Sequence, residues 1–201
     1  MADTLDVLTL AEGYACLRQG SSTANATTIA ALITAVSRRL DRGVGPIVRR
    51  TLTAETYDGE GTFIQLAHWP VTSVTSVVED GTTLTSDDYY IDTEKGLLYR
   101  IQGEFDWRWE IGRDNVEVTY IAGRYASTAT VDEDYKQGAR LMLKHLWRAE
   151  EWNVNGLGVQ DFDVPQVAFP SFSVPKAVID WFGPLWRESS RDTAKARGGF
   201  V

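Results

Sequence analysis

Hydrophobic positions near the start of the chain recur at the spacing of α-helices. Thr9 and Glu12 stand three residues apart before an apolar stretch, the pattern of a capping box, and predict a short helix through Leu17. Asn25 is a favourable N-cap for a second helix, which the Gly-Val-Gly-Pro stretch at 43–46 ends. The apolar residues of that second helix fall on one face: Ile29, Leu32, Ile33, Val36 and Leu40.

From residue 47 to residue 122 the pattern changes to the alternation and turn signals of short β-strands. Residues 58–61 predict a hairpin loop between the first two strands, Asp80-Gly81 predicts a turn, and residues 94–96 predict a second hairpin. We expect five to seven antiparallel strands. The predicted segments are 48–57, 62–66, 71–79, 82–84, 89–92, 97–101 and a last strand through Val116, Val118 and Tyr120.

Helical spacing returns at Val131. The acidic residues at 132–134 suit the N-terminal end of a helix dipole, and residues 150–174 lack sustained periodicity and predict a long loop. Pro175 can start a short last helix, 176–182. The apolar face of the longer helix consists of Tyr135, Ala139, Met142, Leu146 and Ala149, widened by Leu143 and Trp147.

This order of elements predicts an α+β fold. Residues 1–46 and 123–182 form a small helical bundle, residues 47–122 an antiparallel β insertion, and residues 183–201 an extended C-terminal tail.

The net charge of −8 makes the chain a poor binder of duplex DNA, because DNA-binding proteins neutralise phosphates with clustered Lys and Arg. The charge is uneven: residues 183–201 carry a net +2, which leaves −10 for the rest. A basic tail on an acidic body is a common form of interaction arm.

The residues give no support for catalysis. With a single cysteine, Cys16, the chain has no intrachain disulfide or thiolate cluster. His68 and His145 lack metal-ligand spacing, and the acidic clusters at 87–88 and 132–134 are explained by a turn and a helix start. We therefore expect no enzyme, no metal and no cofactor. Neither a signal peptide nor an apolar run of roughly 18 residues is present, so we expect neither export nor membrane insertion.

Four cations recur every fourth residue on the long helix and form one stripe beside its apolar face. Charged residues on a helix are most often a solvated face. In an acidic protein the stripe can instead contact the acidic surface of an identical neighbour, as a head-to-tail ring requires. The predicted inter-subunit residues are Lys136, Arg140, Lys144 and Arg148.

Residues 178–186 concentrate six large apolar side chains just before the basic tail. They form either a core helix that caps the domain or a docking segment with Trp and Arg anchors. The segment can serve both roles if Val178 and Phe182 face the core and the residues from Trp186 onward face outward.

The order of motifs from Leu8-Thr9-Leu10-Ala11-Glu12, through Trp69-Pro70-Val71-Thr72-Ser73-Val74, to Pro184-Leu185-Trp186-Arg187 resembles that of the head–tail connector, or adaptor, proteins of tailed bacteriophages. The chain departs from the simplest pattern of that family in its large β insertion and in the 150–174 loop. The resemblance rests on the order of Leu8-Thr9-Leu10-Ala11-Glu12, Ser37-Arg38-Arg39-Leu40, Trp69-Pro70-Val71-Thr72-Ser73-Val74, Asp80-Gly81, Tyr89, Gly96-Leu97-Leu98, Val116-Glu117-Val118-Thr119-Tyr120-Ile121-Ala122-Gly123, Leu146-Trp147, Val174-Pro175-Lys176-Ala177-Val178 and Pro184-Leu185-Trp186-Arg187.

This resemblance implies a structural subunit of the virion neck, assembled in the host cytoplasm. It implies a dodecameric ring beneath the portal protein, a downstream neck protein (stopper or tail terminator) as second partner, and DNA that passes through the lumen without specific binding. The portal-binding residues we predict are Trp181, Phe182, Leu185, Trp186, Arg187, Arg191, Lys195 and Arg197.

Two alternatives remain open. A small phage-encoded hydrolase would need a convergent carboxylate pair in a cleft. A carbohydrate- or protein-binding β module would use exposed Trp107 and Trp109.

Overall fold

The computed structural model describes residues 3–20, 25–154 and 174–186, with the side chains of 149–154 left aside. Its residues group into two compact units. Met1–Val44 and Val131–Val201 make up the first, called here the helical unit, and Gly45–Thr130 make up the second, the β unit. The combination of helices with antiparallel sheets confirms the α+β fold class.

Four α-helices are described in the helical unit: α1 (Leu10–Leu17), α2 (Ala26–Val44), α3 (Glu133–Val154) and α4 (Lys176–Phe182). The capping box that starts α1 is confirmed, since the Thr9 hydroxyl accepts from the Glu12 amide and the Glu12 carboxylate accepts from the Thr9 amide. None of the described helices is long and apolar enough to cross a membrane. The predicted apolar faces of α2 and α3 supply buried side chains: Ile29, Ile33, Val36, Leu40, Tyr135, Ala139, Met142 and Leu143.

One helix boundary differs from the prediction. α3 continues to Val154, so the first five residues of the predicted 150–174 loop are helical. Apolar periodicity in the sequence ends after residue 149, but a helical backbone does not need an apolar face and can continue until a strong helix breaker such as glycine. The rest of that loop, 155–173, lies outside the described residues.

Two antiparallel sheets form the β unit. The first has the order β1-β8-β3-β4, and the second has the order β2-β6-β5, with β7 paired to β6. Eight strands are described where five to seven were expected, because short pairings such as β7 have no sequence signal of their own. Their bounds are β1 Arg50–Gly59, β2 Phe63–Gln65, β3 Val71–Glu79, β4 Thr82–Thr83, β5 Tyr89–Asp92, β6 Leu97–Gln102, β7 Phe105–Asp106 and β8 Gly112–Ala122.

The hairpin predicted at residues 58–61 is wrong. β1 pairs with β8, and β2 pairs with β6 in the other sheet. Gly59 is needed for a close backbone approach: its amide donates to Asn115 Oδ1 at 2.8 Å, and a Cβ there would lie 1.9 Å from the Glu110 carbonyl oxygen. Turn chemistry signals a change of direction, but the partner strand is chosen by non-local burial.

Other β predictions are confirmed. β3 spans the predicted residues and turns at Asp80-Gly81 into β4, and β5 and β6 form the predicted hairpin. On β8 the alternating residues Val116, Val118 and Tyr120 are fully buried, as a half-buried strand requires.

Candidate assembly interface

The C-terminal segment, defined here as residues 174–186, has an inner and an outer face. Val178 is 0% exposed and Phe182 5%, which confirms the inward orientation predicted for both. Trp181 and Leu185 are 51% and 48% exposed. Trp181 is nevertheless oriented, because its indole N–H donates to the Asp134 carbonyl oxygen at 3.0 Å. An apolar surface with a fixed side chain therefore faces outward.

Phe182 occupies a glycine-lined position on α3. A Cβ at Gly138 would lie 2.5 Å from two atoms of the Phe182 ring, closer than any real contact. The ring also packs against Tyr135, with 5.5 Å between the ring centroids. Glycine at position 138 thus makes room for the anchor of α4.

Trp186 occupies a second such position. A Cβ at Gly43 of α2 would lie 2.5 Å from its indole, and its ring stacks on Phe182 with centroids 6.2 Å apart. The prediction that the chain points outward from Trp186 onward is therefore wrong at Trp186 itself. The sequence marked Gly43 only as a helix terminator, whereas the fold uses its missing side chain to admit an aromatic ring.

Four further predicted portal-binding residues follow Trp186 in the sequence. Arg187, Arg191, Lys195 and Arg197 lie outside the described residues.

The predicted cationic stripe on α3 divides into two halves. Lys136 is buried and its ammonium lies 2.7 Å from Glu12 Oε1, while Arg140 pairs with Glu133. Burial alone would raise the pKa of Glu12, but hydrogen bonds from Lys136 and Thr9 outweigh it and lower that pKa. The first two cations are thus neutralised within the chain.

Lys144 and Arg148 are exposed and face a groove of about 430 Å³ between the end of α1 and α3. Arg18, the C-cap of α1, adds a third exposed cation. Within the described part of the chain, no ion pair involves these three cations. The cationic groove, as we call it, is lined by Cys16, Leu17, Arg18, Gln19, Lys144, Trp147 and Arg148.

Burial raises the pKa of the Cys16 thiol, and the nearby cations of Lys144 and Arg140 only partly oppose the shift. The thiol is thus held protonated, which does not suit a nucleophile. Its Sγ donates weakly to the Arg140 carbonyl oxygen at 3.7 Å. These contacts support the packed role predicted for it.

An aromatic row crosses the smaller sheet of the β unit. Phe63, Tyr99 and Tyr90 are direct cross-strand partners on β2, β6 and β5. Neighbouring ring centroids are 5.9 and 6.1 Å apart, and the outer two residues are 52% and 59% exposed. Cross-strand aromatic pairs stabilise a sheet, but an exposed row of three also offers an apolar contact surface.

The tryptophans expected to serve a binding module are used differently. Trp107 is 53% exposed, but Trp109 is 1% exposed and belongs to the core of the β unit. The prediction that Trp107 and Trp109 are both exposed and form a binding surface is therefore wrong for Trp109. Side chains two residues apart lie on the same face only in a regular β-strand. Residues 107–111 lie outside the strands, so Trp107 and Trp109 need not share a face.

Four titratable side chains meet around Glu55, which contacts Tyr57, Tyr120 and His68. One carboxylate oxygen of Glu55 accepts from the Tyr57 and Tyr120 hydroxyls at 2.7 and 2.6 Å, and the other lies 3.2 Å from His68 Nδ1. The His68 contact is close without meeting hydrogen-bond geometry. The same hydroxyls accept the backbone N–H groups of Ala67 and His68. The cluster therefore ties the chain after β2 to β1 and β8.

Both phenols of this cluster are poor proton donors to a reaction. Burial is the main cause that raises the pKa of Tyr57 to about 12, and it raises the pKa of Tyr120 further, assisted by the hydrogen bond to the Glu55 carboxylate. Held neutral and bonded to one carboxylate, they fit a structural role. Groups of three or more His, Cys, Asp or Glu side chains suited to a metal ion are absent from the residues described.

These shifts predict an alkaline loss of stability. Because the folded-state pKa of Tyr57 lies above the unfolded value near 10, its contribution is complete below about pH 10 and is lost as pH rises through about 12. Tyrosinate absorbance of the folded protein should show a step near pH 12 for Tyr57, well above the pH at which tyrosines ionise in denaturant. In denaturant all eight should titrate together, and Tyr57→Phe should remove one late step. Ionisation of all tyrosines near pH 10 in the folded protein would contradict the prediction.

The carboxylates singled out in the sequence have local structural roles. Asp88 Oδ2 accepts from the Thr85 amide and hydroxyl at 2.9 and 2.7 Å, which closes the turn before β5. Hydrogen bonds from Thr85 lower the pKa of Asp88. Glu133 and Asp134 lie in the first turn of α3, as predicted from the helix dipole.

The fold is similar to a chain in a structure described as the neck of an empty gene transfer agent particle computed with C6 symmetry. That similarity has a TM-score of 0.53 and 20% identity, and covers 87% of this chain and 89% of the other. Two further similarities are to chains of a native-particle neck computed with C12 symmetry (TM-score 0.44, 19% identity, 89% and 94% covered) and of the virion of the native particle (0.49, 20%, 71% and 78%). With TM-scores below 0.5, these two add no support.

No protein-family model and no curated protein matches the sequence. At 20% identity the similarity to the neck chain shows a shared fold.

Proposed function

We propose that this protein is a structural subunit of a phage neck that forms a ring beneath the portal, joins the DNA-filled head to the tail and lets DNA pass. The observation that carries this proposal is the fold shared with a chain of a gene transfer agent neck over 87% of the present chain. The resemblance in the sequence supports the same function independently of the fold. The protein is accordingly a virion component and acts without catalysis, metal or cofactor.

Portal binding is assigned to the C-terminal segment and the basic tail. Phe182 and Trp186 fill the glycine-lined positions on α3 and α2, so their role is to hold the segment in place. Trp181 and Leu185 face outward and supply the apolar contact. Arg187, Arg191, Lys195 and Arg197 follow directly and supply charge. An aromatic anchor beside arginines is typical of residues that dominate binding energy.

Ring formation is assigned to unlike surfaces on successive copies, since a self-complementary patch would stop at dimers. The dodecameric ring predicted from the resemblance also requires a lumen that does not retain DNA. The acidic β unit suits it: residues 45–130 hold 14 acidic and 7 basic residues, a net −7. Like charge repels the phosphates. A downstream neck protein meets the opposite face of the ring.

Removal of the chain after Phe182 should abolish portal binding. The deletion takes away Leu185, Trp186 and the tail cations, while α4 remains anchored by Phe182. Trp181→Ala with Leu185→Ala should weaken binding by about 2–4 kcal/mol, the range for aromatic hot spots. The measurement is a pull-down and a titration with purified portal, together with analytical ultracentrifugation with and without portal.

Trp107→Ala with Ile111→Ala provides the matched control, because it removes two exposed apolar side chains from the β unit and should leave portal affinity unchanged. Circular dichroism would check that each variant is folded. Undiminished portal binding by the truncated chain would refute the docking assignment.

A further inference from the structure

The two units carry complementary surfaces. The cationic groove of the helical unit presents Arg18, Lys144, Arg148 and the half-buried Trp147. The β unit carries seven of the eight net negative charges of the chain. A positive groove in an otherwise acidic protein therefore has a natural partner in a second copy of the same protein.

The smaller sheet of the β unit offers the most suitable surface. β2 and β5 both run antiparallel to β6, so the residues that precede them lie at the same end of this sheet. Exposed Glu60 and Asp87 stand at that end, each three residues before an outer member of the aromatic row of Phe63, Tyr99 and Tyr90. Aromatic faces and carboxylates together suit arginine, lysine and tryptophan, through cation–π contacts, ion pairs and ring packing.

We propose that the aromatic row and its acidic end on one copy bind the cationic groove of the next copy, and that this contact closes the ring. The proposal rests on the proposed neck function and specifies its inter-subunit contact. It narrows the predicted stripe to Lys144 and Arg148, because Lys136 and Arg140 are already paired within the chain. It adds Arg18, which the sequence pattern did not single out, and Trp147, which that pattern assigned to the apolar face of α3.

The contact is heterologous, as a ring requires: the groove lies on the helical unit and the aromatic row on the β unit. Since the charges at the groove are exposed, association should slow and weaken as salt rises. A nucleic acid is the less suitable occupant, because the remaining surface of the protein is acidic.

Crosslinking tests the geometry with the full chain. Cys16, the only native cysteine, has a packed thiol and is replaced by alanine. Gln19→Cys then places a thiol in the lining of the groove, and Tyr90→Cys places one on the aromatic row. Ring assembly, with or without portal, is first established by analytical ultracentrifugation. A short bis-maleimide should then give a ladder of multimers, in which the thiol at position 19 of one copy is linked to the thiol at position 90 of the next. Mass spectrometry maps the links. The matched control, Thr83→Cys, places an exposed thiol on the other sheet and should give no ladder.

Charge reversal tests the energetics. Lys144→Glu with Arg148→Glu should weaken assembly by about a hundredfold, because like charges at an interface cost several kcal/mol. Arg38→Glu with Arg42→Glu makes the same charge change on exposed residues of α2 and should leave assembly within about threefold of wild type. A chain that carries all four substitutions, Lys144→Glu and Arg148→Glu in the groove and Glu60→Lys and Asp87→Lys at the acidic end, should assemble again.

The outcomes separate the two proposals. Rings that form without links between the thiols at positions 19 and 90, or that tolerate the groove reversal, overturn this contact and leave the neck function standing. Failure to form rings with portal present overturns both. A third outcome is that the wild-type protein binds duplex DNA and that the groove reversal abolishes this binding without affecting assembly. That result would assign the groove to nucleic acid and overturn the contact.

Discussion

Arg100→Met should lower the free energy of unfolding by about 3–5 kcal/mol, the cost of leaving a buried charge unpaired. Arg100 on β6 donates from Nε to Glu79 Oε2 at 3.0 Å, and Glu79 ends β3 in the other sheet. Its Nη1 donates to the carbonyl oxygens of Asp88 and Ile101 at 2.6 and 2.9 Å. Methionine keeps much of the packed stem but loses every one of these bonds. Urea unfolding of the full chain measures the loss.

The carboxylate of Glu79 allows a test that is specific to the ion pair with Arg100. Glu79 is 8% exposed, and its other oxygen accepts the Glu110 amide at 2.9 Å. Glu79→Gln can keep that bond without the charge, so in the Arg100→Met background it should recover part of the loss. Arg108→Met, an exposed arginine of the same unit, is the control and should change stability by less than about 0.5 kcal/mol. A cost below about 1 kcal/mol for Arg100→Met would mean that the pair behaves as a surface ion pair.

Phe182→Ala should destabilise the helical unit by about 3–5 kcal/mol, since it empties a buried aromatic position. Gly138→Ala approaches the same contact from the opposite side. Alanine favours the helix by about 1 kcal/mol, but its methyl group would meet the Phe182 ring at 2.5 Å. We expect overpacking, at about 1–3 kcal/mol, to outweigh the propensity and loosen α4. Urea unfolding gives the free energies, and hydrogen exchange of the α4 amides shows where the loosening occurs.

A double-mutant cycle distinguishes this contact from general damage. With Phe182→Ala present, the methyl group introduced at position 138 has room, so the double variant should lose less than the sum of the single losses. Gly20→Ala is the control, because a Cβ there meets nothing within 4 Å. If the losses caused by Gly138→Ala and Phe182→Ala simply add, then a methyl group at position 138 and the Phe182 ring do not compete for the same volume.

Helix positions were largely predictable from the sequence because helical burial recurs locally. The capping box at Thr9 and Glu12 depends on residues within one turn of each other and was predicted correctly. The bounds predicted for α4 were also correct, although Pro175 is its N-cap and not its first residue. The turn at Asp80-Gly81 is local in the same way. Strand pairing is not local. The predicted hairpin at residues 58–61 failed because β1 and β2 each find their partner far along the chain.

The candidate contact surfaces were only partly predictable. Four cations at helical spacing were visible in the sequence, but the neutralisation of Lys136 depends on Glu12, 124 residues away. The aromatic side chains of the C-terminal segment were visible too. Which of them face outward depends on Gly43 and Gly138, whose missing side chains admit Trp186 and Phe182.

The sequence by itself determined the order of helices and strands, the faces of α2 and α3 that are buried, and the uneven charge, because each follows from spacing or composition. Tertiary structure alone decided which strands pair, which cations remain exposed at the groove, and that Phe63, Tyr99 and Tyr90 form one row. The physical reason is that these properties belong to pairs of distant residues, and side chains distant in the chain become neighbours only once the apolar faces have packed.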